Sequence, residues 1–269
     1  FTYSESGHSM NLGAVGTYEI SVQAVGDFFN FVSSNYSDVF SVINLETIEN
    51  IEIINNTISW DEVENALSYK VILSGASNYE VVVDTNSYEI ERDKLAGGLY
   101  NVQVIALGDG KTVLSSSSAI ITNAFEILAK VQNIGFNEYK QIVWDVVNRA
   151  SSYHILITGE NGYSFEKDLI ANVINLPQDL VGGQYVIKVM AIGDKHLIVD
   201  SAYSSDYVAT KFEAPEKISH KSGVLSVSPV SGVTDYMFEI EFEDGSKAVL
   251  DADTNSYSAT YDFAKSGLY

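Results

Sequence analysis

Apolar residues fall on alternate positions through most of this chain, in short runs closed by Gly, Asn, Asp and Ser. In GGLYNVQVIALGDG, residues 97–110, Tyr100, Val102, Val104 and Ala106 share one face, and Gly108-Asp109 ends the run. A period of two reads as a half-buried strand, and Gly-Asp reads as the turn that closes it. No stretch keeps a helical period, and only three prolines occur, so the turns rely on small polar residues.

The same phrase returns. GTYEISVQAVGD begins at Gly16, GLYNVQVIALGD at Gly98 and GQYVIKVMAIGD at Gly183, and the sequence given ends on Gly-Leu-Tyr269. This phases Tyr18, Tyr100, Tyr185 and Tyr269 at intervals of roughly 84 residues, the size of a small domain rather than of a solenoid repeat. A second phrase keeps the same phase: TISWDEVENALSYKVIL, QIVWDVVNRASSYHILI and VLSVSPVSGVTDYMFEI align Tyr69, Tyr153 and Tyr236. Trp60 and Trp144 also align, with Val227 in the third copy. Each unit reads as about seven short antiparallel strands, which predicts an all-β chain of tandem β-sandwiches.

Taken together, the Trp-centred phrase and the later Leu-x-Gly-Gly-x-Tyr phrase resemble the fibronectin type III module over essentially the whole chain. The resemblance implies that Trp60 and Trp144 sit in the second strand, and Tyr69, Tyr153 and Tyr236 in the third. It implies that Tyr18, Tyr100, Tyr185 and Tyr269 are corner residues, with inward rings and hydroxyls bonded to nearby backbone. All are expected to be structural core. The chain departs from the family pattern in placing Gly-Gly before the corner tyrosine and Val227 where tryptophan stands, so the third core is expected to be repacked.

Phasing predicts two complete modules, residues 43–125 and 126–213. They are flanked by a partial module of C-terminal strands at 1–42 and one of N-terminal strands at 214–269. The junctions lack long Gly, Ser or Pro-rich linkers, so limited bending is expected. The first residue is Phe1, and the two partial units read as cut from flanking modules of a longer chain.

Charge narrows the partners. With 36 acidic and 15 basic residues, the net charge of −21 repels nucleic acid and anionic lipid. No cysteine is present, which removes disulfides, thiolate metal sites and a thiol nucleophile. No apolar run approaches the ~18 residues of a membrane span.

The candidate chemistry is thin. His8, His154, His196 and His220 are scattered in repeat phase, and no hydrolase, metalloprotease or phosphate-loop motif occurs. Asp251, Asp253 and Asn255 match the first positions of a calcium loop, but Ser256 stands where the sharp turn needs glycine. Asp61, Glu62, Glu64 and Asp145 read as solvated turn residues. No catalytic residue, metal site or cofactor is assigned. The hairpin after each Gly-Asp varies most, and in FFNFV, residues 28–32, Phe28 and Phe29 are candidate ligand contacts. The competing expectation is that its apolar residues pack inward or against the next module.

The resulting expectation is a non-enzymatic spacer or interaction repeat of a large extracellular protein, of bacterial type by composition and resemblance. Its partners would be flanking domains of the same chain and a protein or glycan ligand. The alternatives are a carbohydrate-binding or adhesive module, or an accessory segment of an extracellular glycoside hydrolase.

Overall fold

In the computed structural model, which describes residues 12–27, 29–252 and 258–260, the alternating runs form strands that build two complete sandwiches and parts of two more. The order is set by the same residues in each copy.

In the first complete sandwich, Glu52–Ile54, Thr57–Ser59 and Ser87–Glu89 form a three-stranded antiparallel sheet. Asn55 and Asn56 join its first two strands with φ of 51° and 66°, the left-handed pair a tight hairpin requires. Facing it, Tyr79–Val83, Ser68–Gly75, Gly98–Leu107 and Ala119–Ile127 lie side by side in that order. The second sandwich repeats the plan. Gly135–Phe136, Ile142–Val143 and Val173–Ile174 face Ser164–Leu169, Ser152–Gly159, Gly183–Ile192 and Tyr207–Lys211. Three strands against four in this order make a seven-stranded antiparallel β-sandwich.

Alternation puts every second side chain of Gly98–Leu107 inside, so Tyr100, Val102, Val104 and Ala106 are sealed from solvent. Tyr185, Ile187, Val189 and Ala191 do the same in Gly183–Ile192. Burying each Val or Ile contributes about 1.5–3 kcal/mol, so each of these strands adds several kcal/mol to its core.

The cores change owner between adjacent residues. Ile127 belongs to the first core and Leu128 to the second, a switch two residues later than phasing places it. With both residues about 2% exposed, no loop separates the sandwiches.

The flanking units are smaller. Gly16–Ile20 pairs antiparallel with Phe40–Asn44 as a hairpin equivalent to the last two strands of a module. At the other end, Ile218–Lys221, Val224–Val227 and Ser258–Thr260 form one sheet, and Met237–Glu241 pairs with Lys247–Asp251. Their core is Val227, Phe238 and Ala259. Phe238 stands where the other copies have Val71 and Ile155, so a larger ring joins the cluster that lacks an indole.

Candidate functional site

The indoles and the third-strand tyrosines of the two complete modules are interior. Trp60 and Trp144 are each 3% exposed and meet Tyr69 and Tyr153 edge to face, with ring centroids 5.4 and 5.5 Å apart. Tyr69, Tyr153 and Tyr236 each accept a hydrogen bond from the backbone amide six residues earlier, at Val63, Val147 and Val230. Thus the third-strand tyrosine pins the preceding loop in all three copies, including the one without tryptophan.

The corner tyrosines are equally regular. Tyr18, Tyr100 and Tyr185 donate to the carbonyl four residues back, at Ala14, Ala96 and Val181. Tyr100 and Tyr185 are buried, whereas Tyr18 is half-buried in its two-stranded unit. Tyr269 and Phe28 lie outside the described residues. Phe29 is 92% exposed.

Among the described residues, Asp61, Asp145, His154, His196 and His220 each engage partners in neighbouring strands and turns. Asp61 and Asp145 accept the side-chain amides of Asn50 and Asn133, tying the first strand to the turn after each tryptophan. His154 faces Asp168 across the strand pair at 2.7 Å. His196 lies in a bend, where its amide donates to Asp194, and His220 lies in the strand Ile218–Lys221, where its Nε2 accepts the Gly223 amide. Asp251 is exposed; His8, Asp253 and Asn255 lie outside the described residues. Among the described residues no group of three or more His, Cys, Asp or Glu could hold a metal ion.

The feature that repeats with the most built geometry is the Gly-Asp loop. Asp109 Oδ1 accepts the amides of Lys111, Thr112 and Val113. Asp27 takes those of Phe29, Asn30 and Phe31, and Asp194 those of His196 and Ile198. These backbone donors favour the charged carboxylate, holding all three aspartates below their ordinary pKa. The glycine before each Asp is a close approach. A Cβ on Gly26, Gly108 or Gly193 would lie 2.2, 2.1 or 1.9 Å from the carbonyl oxygen of Phe31, Val113 or Ile198. Only glycine fits there.

Closed this way, each loop throws an apolar pair forward: Phe31-Val32, Val113-Leu114 and Ile198-Val199. In both complete modules that pair docks on the preceding unit. Val113–Leu114 runs parallel to the end of Phe40–Asn44, matching Ile43 to Val113 and Asn44 to Leu114. Ile198–Val199 runs parallel to the end of Ala119–Ile127, matching Glu126 to Ile198 and Ile127 to Val199. Ile43 and Leu45 amides donate to Thr112 and Leu114 carbonyls at 2.7 and 3.3 Å, and Glu126 and Leu128 amides donate to Leu197 and Val199 at 2.8 and 3.1 Å. Each such bond is worth about 1 kcal/mol net. Val199 sits in the first sandwich's core while Ile198 packs on the second.

The second joint adds charge. Asp200 is 3% exposed, and its Oδ1 accepts the Gly193 amide, as the Ser33 and Ser115 hydroxyls accept those of Gly26 and Gly108. Its other oxygen accepts the Asn56 side chain at 3.0 Å and faces Arg92 at 3.4 Å, both from the preceding sandwich. Arg149, in a left-handed backbone conformation with φ of 66°, pairs with Glu126 across the same joint.

Sequence reasoning singled out Phe28 and Phe29 in this loop as candidate ligand contacts, while the joints are built at the positions equivalent to Phe31 and Val32. It also had the apolar residues packing inward or on the next module, whereas Val199 enters the preceding one. The available signal was the apolar pair at a constant spacing after each Gly-Asp.

No family model matches this sequence, and no curated protein matches it. Among solved structures, the chain is similar to the crystal structure of chicken CNTN1 FN1–FN3 domains, at 14% identity over 80% of this chain and 87% of that one, with a TM-score of 0.27. It is also similar to a two-domain fibronectin type III segment from chicken tenascin, at 13% identity over 61% and 96%, with a TM-score of 0.31.

Proposed function

We propose that this chain is a non-enzymatic structural spacer, a stiff run of fibronectin type III-like modules of a large extracellular protein that holds other domains away from a cell surface. The observation that carries this reading is the repeated joint, in which the last strand of one unit pairs in parallel with the hairpin of the next. Backbone pairing across a boundary resists both bending and twisting, because either motion must break hydrogen bonds and expose buried apolar surface. Loosely linked beads lack that restraint. The buried indoles leave no tryptophan platform for a sugar, which favours the spacer over the carbohydrate-binding alternative.

The absence of cysteine allows a clean test. Spin labels at Leu67→Cys and Ile170→Cys, both solvent-exposed and one on each sandwich, report the distance across the second joint. The expected result is a narrow distance distribution that broadens with Val199→Asp. A broad distribution in the otherwise unaltered chain would overturn the spacer reading, and saturable binding on a glycan array would favour adhesion.

A further inference from the structure

The two complete sandwiches differ at one interior corner. In the first, Phe125 stands opposite Tyr100 and stacks on it, with ring centroids 5.4 Å apart and planes 13° from parallel. In the second, Ala209 holds the same position opposite Tyr185. Two residues further on, buried Ile127 of the first sandwich is matched by exposed Lys211. The second corner therefore lacks a ring and a branched side chain that the first one has.

A cavity of about 160 Å³ occupies that place. Buried Ile157, Leu180, Tyr185 and Ile187 line it together with exposed Phe136 and Lys211, so the space runs from the surface into the core. Every residue that lines it belongs to the second sandwich. Tyr163, which meets Tyr185 edge to face at 5.5 Å, lines a separate groove with Gly182 and Gly183. The polar groups at the corner are already matched. The Tyr185 hydroxyl donates to the Val181 carbonyl and accepts the Val181 amide, and Lys211 Nζ donates to the Leu180 carbonyl. An apolar cavity of roughly 150 Å³ stays dry and has room for one benzene-sized ring.

We propose that this cavity is a binding site for a small neutral aromatic molecule, whose ring seats against Tyr185 as Phe125 seats against Tyr100. The first sandwich shows what the corner accepts: a flat apolar ring stacked on the corner tyrosine. Burial of apolar surface and ring stacking supply the attraction. Tyr185 and Lys211 are satisfied within the protein, so they call for no charged or hydrogen-bonding substituent on the ligand. For the same reason they offer nothing to the backbone that an aromatic side chain of a partner would bring, and the site suits a free ring. A ligand of about seven heavy atoms held this way binds in about the 0.1–1 mM range.

Toluene titrated into the full chain, with methyl and aromatic NMR signals followed, tests this. Saturable shifts are expected at the Ala209, Ile157 and Ile187 methyls and the Tyr185 ring, with little change at Val102 and Tyr100. Ala209→Phe fills the cavity from within and is expected to abolish those shifts while raising the thermal transition of the second sandwich. Ala209→Leu, a smaller filler, is expected to act in the same direction. Phe125→Ala is expected to open a matching site in the first sandwich and bring the Val102 methyls and Tyr100 ring into the titration. Three results would each overturn the proposal: no saturable shift up to the solubility of toluene, shifts that Ala209→Phe and Ala209→Leu leave unaltered, or tighter binding of N-acetylphenylalanine amide than of toluene. The last would assign the cavity to a protein side chain. All three leave the joints, and the spacer reading, untouched.

Discussion

Val199 lies parallel to Ile127 and is 1% exposed inside a core that the preceding sandwich otherwise builds. The boundary between the two modules is therefore a shared piece of interior rather than a hinge. Val199→Ala is expected to cost about 1–3 kcal/mol, and Val199→Asp more, since an unpaired charge must then be buried or the joint must open. Hydrogen exchange at the Leu128 amide, which donates to Val199, checks this and should rise before exchange in Gly98–Leu107 does.

Asp200 is the charged fastener of the same joint, and the other copies hold Ser33 and Ser115 in its place. Asp200→Ser keeps a group for the Gly193 amide but leaves Arg92 without its carboxylate. Breaking a buried pair from one side costs up to about 3–5 kcal/mol, and Arg92 is partly solvated, so about 1–3 kcal/mol is expected. Spin-label distances across the joint should broaden, with the separate stabilities of the sandwiches little changed. In the Arg92→Met background, Asp200→Ser should cost less than half as much if the two residues act as a pair.

Trp60 supplies a comparison within one site. Its indole N–H is buried with no acceptor, as is that of Trp144. Trp60→Phe removes that orphan donor along with some volume, so a loss below about 2 kcal/mol is expected, against about 3–5 kcal/mol for Trp60→Ala. Urea unfolding of the full chain, followed at Trp144 and by circular dichroism, separates the two values.

Tyr100 bonds the Ala96 carbonyl at 2.8 Å and lies 2.6 Å from the Ser77 hydroxyl. Tyr100→Phe keeps the ring stacked on Phe125 and loses both contacts, which should destabilise the first sandwich by about 1–2 kcal/mol. The second sandwich has its own corner at Tyr185, so its unfolding transition should stay in place.

The Gly-Asp loops make acid stability predictable in sign. Amide donors lower the pKa of Asp27, Asp109 and Asp194 in the folded chain below the ordinary value of 3.8. A depressed folded pKa contributes stability that is complete above the unfolded pKa and is lost as pH falls through the folded one. Stability should therefore hold down to about pH 5 and decline below pH 4. Asp109→Asn, which keeps the acceptor oxygen, should flatten that decline for the first sandwich in thermal melts against pH.

Much of the architecture was legible in the residues alone. Alternation in residues 100–106 and 185–191 is local, because successive strand side chains must point to opposite faces. The constant phase of Trp60 with Trp144, and of Tyr69 with Tyr153 and Tyr236, identified equivalent places in successive sandwiches. Those side chains pack within their own module, so a single repeat carries the information.

The joint was not legible in the same way. Ile198-Val199 reads like the start of any strand, and nothing in those two residues says which sandwich will bury them. That depends on where the loop sits. The last strand of each module runs away from its own Gly-Asp loop, so the loop lies at the pole where the preceding module arrives. Local alternation thus settled the strands and their inward faces. Burial of Val199, the Asp200 clasp and the direction of docking arise from the meeting of two folded bodies, where hydrogen bonding and apolar burial join residues far apart in the chain.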